Sequence, residues 1–285
     1  GVNGFELGIN VKSDFLKFVF QNEPYFISDA QLNFEISHPL DRATFNDIKI
    51  EASSKIGRLF VSTEINDIYA DVSLSNSVID INSGVILSKK TKPSLSGSID
   101  LSGDSIQTKI SKLFVNYGDF SLLNNLPIMF SYKNESVDIK QFALKRGDSE
   151  INLHGKFAFS GNQNLSLSLK NFKGYDLSYS LLGISPEEVI DGDLNLYSTI
   201  KGTLQNPEIS LSLVGDSISY KKKNFGSLRS NFSYINKMLN SNIQFVERVK
   251  NIEEERLLIN GAFPLDLAIG NVQNRLLEDK DVRLT

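Results

Sequence analysis

The chain has 285 residues, 40% of them hydrophobic and 22% charged, with a net charge of −4. Such a composition belongs to ordered protein, and the acid excess argues against a nucleic-acid surface. The absence of cysteine removes disulfides, thiolate catalysis and cysteine-based zinc sites, and no run of 18 apolar residues is present to span a membrane as a helix.

The chain opens on Gly1-Val2-Asn3-Gly4, without Met or a signal peptide, and closes on Asp281-Val282-Arg283-Leu284-Thr285, which reads as a strand just starting. The expectation is a fragment of a longer protein, with any membrane anchor in the missing part.

Period-two alternation runs through the chain. Phe5, Leu7, Ile9 and Val11 alternate with Gly4, Glu6, Gly8 and Asn10, and Leu32, Phe34 and Ile36 flank Asn33 and Glu35. Ile65, Ile68, Ala70, Val72 and Leu74 continue the pattern with one slip, and Ile99 and Leu101, then Ile151, Leu153 and Phe157, follow. The sharpest cases are Leu165, Leu167 and Leu169 between serines, echoed by Ile209, Leu211 and Leu213. Strict alternation predicts strands with one apolar and one wetted face.

Turn residues punctuate these runs. They are Gly103-Asp104, Arg146-Gly147-Asp148, Ser160-Gly161-Asn162, Asp191-Gly192-Asp193, Gln205-Asn206-Pro207 and Val214-Gly215-Asp216. A strand every 10 to 12 residues would give about 25 strands, an array on the order of 110 Å at ~4.8 Å each. Helix is scarce: Ser185-Pro186-Glu187-Glu188 is a capping box with proline at the first helical position, and 176–182 and 271–279 are short candidates. None is long enough to cover a sheet. The sheet must therefore curl on itself as a solenoid, sandwich or barrel, or offer its apolar face to a ligand.

A longer, imperfect repeat is visible from Leu126 onward. Val137 to Gly155 reads as strand, Gly-Asp-Ser turn and a second strand ending in glycine. Gly192-Asp193-Leu194 leads through Leu196 to Gly202-Thr203-Leu204-Gln205-Asn206-Pro207, and Asn260-Gly261-Ala262-Phe263-Pro264-Leu265-Asp266 closes the series. In these three segments the chain resembles the TamB/AsmA-like superfamily. The resemblance covers residues 91–285 as a repeat region truncated at both ends, with residues 1–90 a β-rich groove segment that matches less distinctly.

The resemblance implies an all-β fold, an elongated antiparallel sheet curled into a U-shaped apolar groove with a few short helices. It implies a non-enzymatic, periplasmic protein anchored to the inner membrane, whose groove carries phospholipid to the outer membrane or assists outer-membrane protein assembly and secretion. The implied partners are phospholipid acyl chains and, through a missing C-terminal region, an outer-membrane β-barrel. Residues expected to line the groove are Leu153, Phe157, Leu165, Leu167, Leu169, Leu194, Leu196, Ile209, Leu211 and Leu213. A 16-carbon tail loses roughly 12 kcal/mol of burial in water, at ~0.8 kcal/mol per CH₂, and a continuous apolar strip would remove most of that penalty.

By residue pattern alone these stripes suit either a packed core or a groove lining. The competing readings are a structural β-solenoid of surface or adhesin type with a filled core, and a carbohydrate-active β-helix. For the latter, Asp100, Asp104 and Asp119 are the candidate acids, against solvated turn carboxylates. Asp191-Gly192-Asp193 carries only part of a calcium loop and reads as a turn. Gly183-Ile184-Ser185-Pro186 lacks the second glycine of a nucleophile elbow. His38 and His154 read as strand-end residues, Lys221-Lys222-Lys223 as a solvated hairpin tip, and Glu253-Glu254-Glu255-Arg256 as a solvated loop. No catalytic, metal or cofactor constellation is evident, and none is expected.

Overall fold

The computed structural model describes residues 4–20, 23–39, 47–61, 63–86, 92–117, 120–176, 188–221, 223–249, 252–269, 275 and 282–285. Among the described residues the chain is all-β, with eighteen strands and no helix beyond a single turn at 174–176. The capping box at 185–187, most of 176–182 and nearly all of 271–279 lie outside the described residues. The count falls below the expected 25 because strands are longer than the alternating runs suggest. The first two have 17 residues each.

The chain divides into two compact units, Gly1–Lys133 and Asn134–Thr285. The first holds β1 (Gly4–Phe20), β2 (Glu23–Pro39), β3 (Lys49–Val61), β4 (Thr63–Ser75), β5 (Val78–Ile86), β6 (Ser94–Asp100), β7 (Ile106–Tyr117), β8 (Phe120–Leu123) and β9 (Ile128–Lys133). The second holds β10 (Ser136–Arg146), β11 (Ser149–Ala158), β12 (Gln163–Lys173), β13 (Ile190–Gly202), β14 (Pro207–Tyr220), β15 (Lys223–Ile235), β16 (Met238–Val249), β17 (Ile252–Pro264) and β18 (Arg283–Leu284). In each unit successive strands pair antiparallel. The one rearrangement is β7, which pairs with β8 at one end and β9 at the other.

Turn chemistry explains most of these joints. Residues Asn76-Ser77 and Asn236-Lys237 have φ of 50° and 63°, and 52° and 61°. Two consecutive left-handed residues make the hairpin turn whose twist matches the flanking strands, and asparagine tolerates that conformation best after glycine. Gly103-Asp104, Arg146-Gly147-Asp148, Ser160-Gly161-Asn162 and the loop ending at Asn206 fall at or between strand ends as expected.

Two other turn candidates do not. Asp191-Gly192-Asp193 lies inside β13 and Val214-Gly215-Asp216 inside β14, each beside a register shift. Both are β-bulges, which need the same left-handed residues as turns: Gly192 has φ 137° and Ser217 φ 54°. A Cβ on Gly215 would come within 2.6 Å of Ile218 Cδ1, so glycine there makes room for the packed Ile218. The slip at Ile65–Ile68 is likewise a bulge, around Asp67 with φ 47°. The expected loop at Glu253–Arg256 is part of β17, paired with β16. His154 is mid-strand in β11, opposite Ser166, because Gly155 is followed by three further strand residues.

Two side chains stand in for backbone. Between its pairings with β8 and β9, β7 would leave groups at 111–113 without partners. Asn124 fills that gap: its carbonyl oxygen accepts from the Leu113 N–H, and its amide donates to Ser111 O at 3.1 Å and Leu126 O at 3.0 Å. In the second unit buried Gln163 accepts from Ala158 N–H at 2.9 Å and donates to Ala158 O at 2.6 Å, closing the β11–β12 turn. A buried backbone group left unmade costs about 1–3 kcal/mol. Asn124→Ala is therefore expected to lower unfolding stability by about 2 kcal/mol in urea denaturation, whereas Asn125→Ala, at an exposed neighbouring position, should leave it nearly unchanged.

Candidate functional site

Antiparallel partners share a face of the sheet, so the register shows which side chains meet. In the second unit one cross-strand row runs Phe142, Leu153, Leu167, Ser198, Leu211, Phe232. Beside it runs Leu144, Ile151, Leu169, Leu196, Leu213. A third row takes Leu165, Ile200, Ile209 and Tyr234, and a fourth Phe172, Leu194, Gly215 and Leu228. Phe157 is opposite Val137 on the same face. All ten residues expected as a lining thus lie on one continuous apolar strip. From β10 to β17 it crosses eight strands, about 34 Å at ~4.8 Å per step. The opposite face carries Ser166, Thr199, Ser210 and Ser233 in one row and Ser168, Tyr197, Ser212, Asn231 and Asn242 in another.

Burial along the strip is uneven. The ten residues are all half-buried. Fully enclosed apolar side chains lie towards its ends: Phe172 at 1%, Ile218 at 4% and Val189 at 7% exposure towards one, Tyr234 at 3% towards the other. In the middle rows the large apolar side chains are half-buried, while the small Ser198 and Ser230 between them are enclosed, at 7% and 3% exposure.

The Tyr234 end has a cap. After β17 the chain crosses over Tyr234: Leu267 N–H donates to its hydroxyl at 2.9 Å, and Ile269 N–H donates to Leu204 O at 2.7 Å in the β13–β14 turn. Asp266 holds this crossing. Its carboxylate pairs with Lys237 at 2.8 Å and accepts from Ala268 N–H at 2.9 Å, and Arg275 donates to its backbone carbonyl at 3.1 Å. None of the apolar-pattern reasoning singles out Asp266. The signal available in sequence was only its place after Pro264, where the strand ends.

The first unit repeats the two-faced plan. Leu7, Ile36, Ile50, Leu74, Ile79 and Ile99 form one apolar row. A cavity of about 900 Å³ opens on the opposite, hydrophilic face. Lys109 and Ser111 line it while Ile110 between them does not, which fixes the face. Its lining mixes the carboxylates of Glu35, Glu51, Asp71 and Asp80 with Ile9, Phe34, Val72 and Ile81. A second cavity, about 800 Å³, lies beside the β10–β11 turn and is lined by the ion pairs Arg146–Asp176 and Lys173–Asp193.

The other candidates form no reaction centre. Asp100 accepts from Ser102 N–H at 2.8 Å and Ser102 Oγ at 2.6 Å, bonds that hold its carboxyl below the usual range and close the turn after β6. Asp104 sits 4.0 Å from Lys133. Asp119, Lys222 and the 183–186 segment lie outside the described residues. Lys221 and Lys223 flank the β14–β15 turn, the expected hairpin tip. His38 stacks on Phe5 with ring centroids 6.0 Å apart. Among the described residues no group of three His, Asp or Glu is placed to hold a metal ion.

The cap carries a pH dependence. Hydrogen bonding from Lys237 holds the Asp266 carboxyl below its usual range, and the same bond raises Lys237. A lowered carboxylate stabilises the fold above its unfolded pKa of about 3.9, and that contribution fades as pH falls through the folded value. Raised Lys237 loses its contribution only as pH climbs past its folded value, above about 10.4. Asp266→Asn should therefore lower Tm at pH 7, with the gap to the wild type narrowing below about pH 4 in a thermal-melt series. Comparison with family models, with curated proteins and with solved structures finds no match for this chain.

Proposed function

We propose that this chain is a non-enzymatic cell-envelope protein whose apolar strip shields phospholipid acyl chains in passage between the inner and outer membranes, or steadies apolar strands of outer-membrane proteins during assembly. In this reading it works in the periplasm, tethered to the inner membrane by sequence outside this chain. The observation that supports the reading is the strip itself: eight strands in register place Leu, Ile and Phe on one face, with the expected lining residues half-buried.

The filled solenoid is the second reading. A solenoid core encloses the inward side chains of its middle coils, and coils of a β-helix stack in parallel. Here the large apolar side chains in the middle of the strip are half-buried and the paired strands are antiparallel. Both features count against it. Against a glycan-cleaving role, Asp100 is taken up by the turn after β6.

The test is lipid extraction and native mass spectrometry of the purified chain. Phospholipid should co-purify with the wild type. The Leu167→Asp/Leu211→Asp variant, which puts two carboxylates on either side of Ser198, should retain its far-ultraviolet circular dichroism and lose at least nine-tenths of the bound lipid. Unfolding of that variant would make these residues core. A wild-type protein that takes up no lipid from phospholipid vesicles would overturn the acyl-chain reading.

A further inference from the structure

Within the first unit, β1 to β4 all change phase at one row. The apolar positions of β1 run Leu7, Ile9, Val11 and resume at Leu16; those of β2 run Ile36, Phe34, Leu32, Ala30 and resume at Ile27. In β3 Ile50, Ala52 and Ile56 are followed by Leu59, and in β4 Leu74, Val72, Ala70 and Ile68 are followed by Ile65. Register aligns the slips. The pairings β1–β2, β2–β3 and β3–β4 each leave one position out of the ladder, and those positions are Asp14, Asp29, Gly57 and Asp67 in a single row. Asp29 and Asp67 are left-handed, with φ 56° and 47°. Asp29 lies over Gly57, where an added Cβ would meet Asp29 Cβ at 2.8 Å. As at a bulge, a left-handed residue shifts the alternation by one. Beyond this crease the row Leu16, Ile27, Leu59, Ile65 therefore returns to the face of Val11 and Leu32.

We propose that this row is a hinge, and that the outer ends of the four strands, residues 15–20, 23–28, 58–61 and 63–66, form a flap that swings about it as one piece. Each strand crosses the line through a single residue, and neighbouring strands share no ladder position there. Rotation then falls on φ and ψ of four residues and leaves the flap's own pairing intact. The β12 bulge of the second unit is pinned by the side chains of Asn195 and Ser149. Among the described residues no side chain pins the backbone of Asp14, Asp29, Gly57 or Asp67, and their three carboxylates have no hydrogen-bond or ion-pair partner. Asp14 and Asp29, on adjacent strands, repel. Apolar side chains on both sides of the line stand open to water, Val11 at 47%, Leu32 at 46% and Leu16 at 45% exposure. Closing the flap sets Leu16, Ile27, Leu59 and Ile65 towards the apolar side chains of the strand bodies, and the area removed from water drives it. The hinge does not depend on whether that face carries lipid.

The chain has no cysteine, so paired nitroxide labels can be placed on introduced thiols and their separation read by pulsed electron resonance. Lys17→Cys with Glu51→Cys spans the crease, at about 30 Å for a flat sheet. Lys12→Cys with Asp80→Cys lies wholly within the strand bodies, at about 23 Å. The crease pair should give a distribution at least 6 Å wide, because a bend towards a right angle shortens it by about that much, and the body pair a single narrow peak. Gly57→Ala wedges the crease and should narrow the first distribution to one component without changing the second. Hydrogen exchange separates a swinging flap from fraying. In a flap the amides of 25–28 and 58–60 stay as protected as those of 30–36 and 49–56, with fast exchange confined to the crease row. In fraying, protection falls stepwise towards the strand ends. A narrow crease-pair distribution in the wild-type background, stepwise loss of protection, or a Gly57→Ala distribution as broad as the parent's would each overturn the proposal. The first of these would make the row a rigid corner.

Discussion

Register parity is the constraint on which the rest of this molecule depends. A strand with alternating polarity has one apolar side, and a neighbour offset by a single residue would bury serine and expose leucine. Across the second unit the pairing keeps parity from β10 to β17, so Phe142, Leu153, Leu167 and Leu211 stay on one side. Little else favours the sheet over other compact states, because no helical layer among the described residues supplies a second surface to pack against. Backbone ladders and cross-strand pairs, each worth about 0.2–1 kcal/mol, carry the load.

Bulges adjust parity rather than disturb it. Leu169 and Phe172 are three residues apart and would fall on opposite faces of a regular strand. The irregularity between them turns both to the apolar side, opposite Leu196 and Leu194. Ile139 and Phe142 in β10 are related in the same way, opposite Gly155 and Leu153. The extra backbone groups are met by side chains: at the β12 bulge Asn171 N–H donates to Asn195 at 3.0 Å, and Ser149 Oγ donates to Asn171 O at 2.7 Å. The enclosed cluster of Phe172 and Ile218 forms where the β12, β13 and β14 bulges come together, so each bulge converts a repeating strip into a closed end.

How much of this was legible depended on the range of the interaction. Alternation is local, so the strands and all ten strip residues could be read from one segment at a time. The turn at Gly147-Asp148 was equally local. A bulge uses the same Gly-Asp vocabulary as a turn, and only the partner strand distinguishes them, which is why Asp191–Asp193 and Val214–Asp216 read as turns. Glu253–Arg256 looked like a loop because four charged residues have no apolar face; paired with β16 they find Glu247 on that strand and Arg229 on β15 beyond it, and remain strand. Asn124 reaches a backbone carbonyl 14 residues away, Gln163 bonds the backbone of Ala158 and Asp266 pairs with the Lys237 side chain, contacts that no periodicity encodes.

Half-burial also sets the energetics of the proposed role. A deep pocket would hold an acyl chain tightly and release it slowly. The strip offers no such well: serine and glycine interrupt its rows at Ser198, Ser230, Ser241 and Gly261, so each cargo segment meets a few large side chains and then a gap. At ~0.8 kcal/mol per buried CH₂, covering only one side of a chain recovers part of the transfer free energy while leaving every position along the strip nearly equivalent. Near-equivalence lets a bound molecule shift by one row without climbing out of a minimum. The same property explains why no single residue here has the look of a site. In the proposed role the functional unit would be the repeat of rows, and a charge set into any one row would interrupt the path.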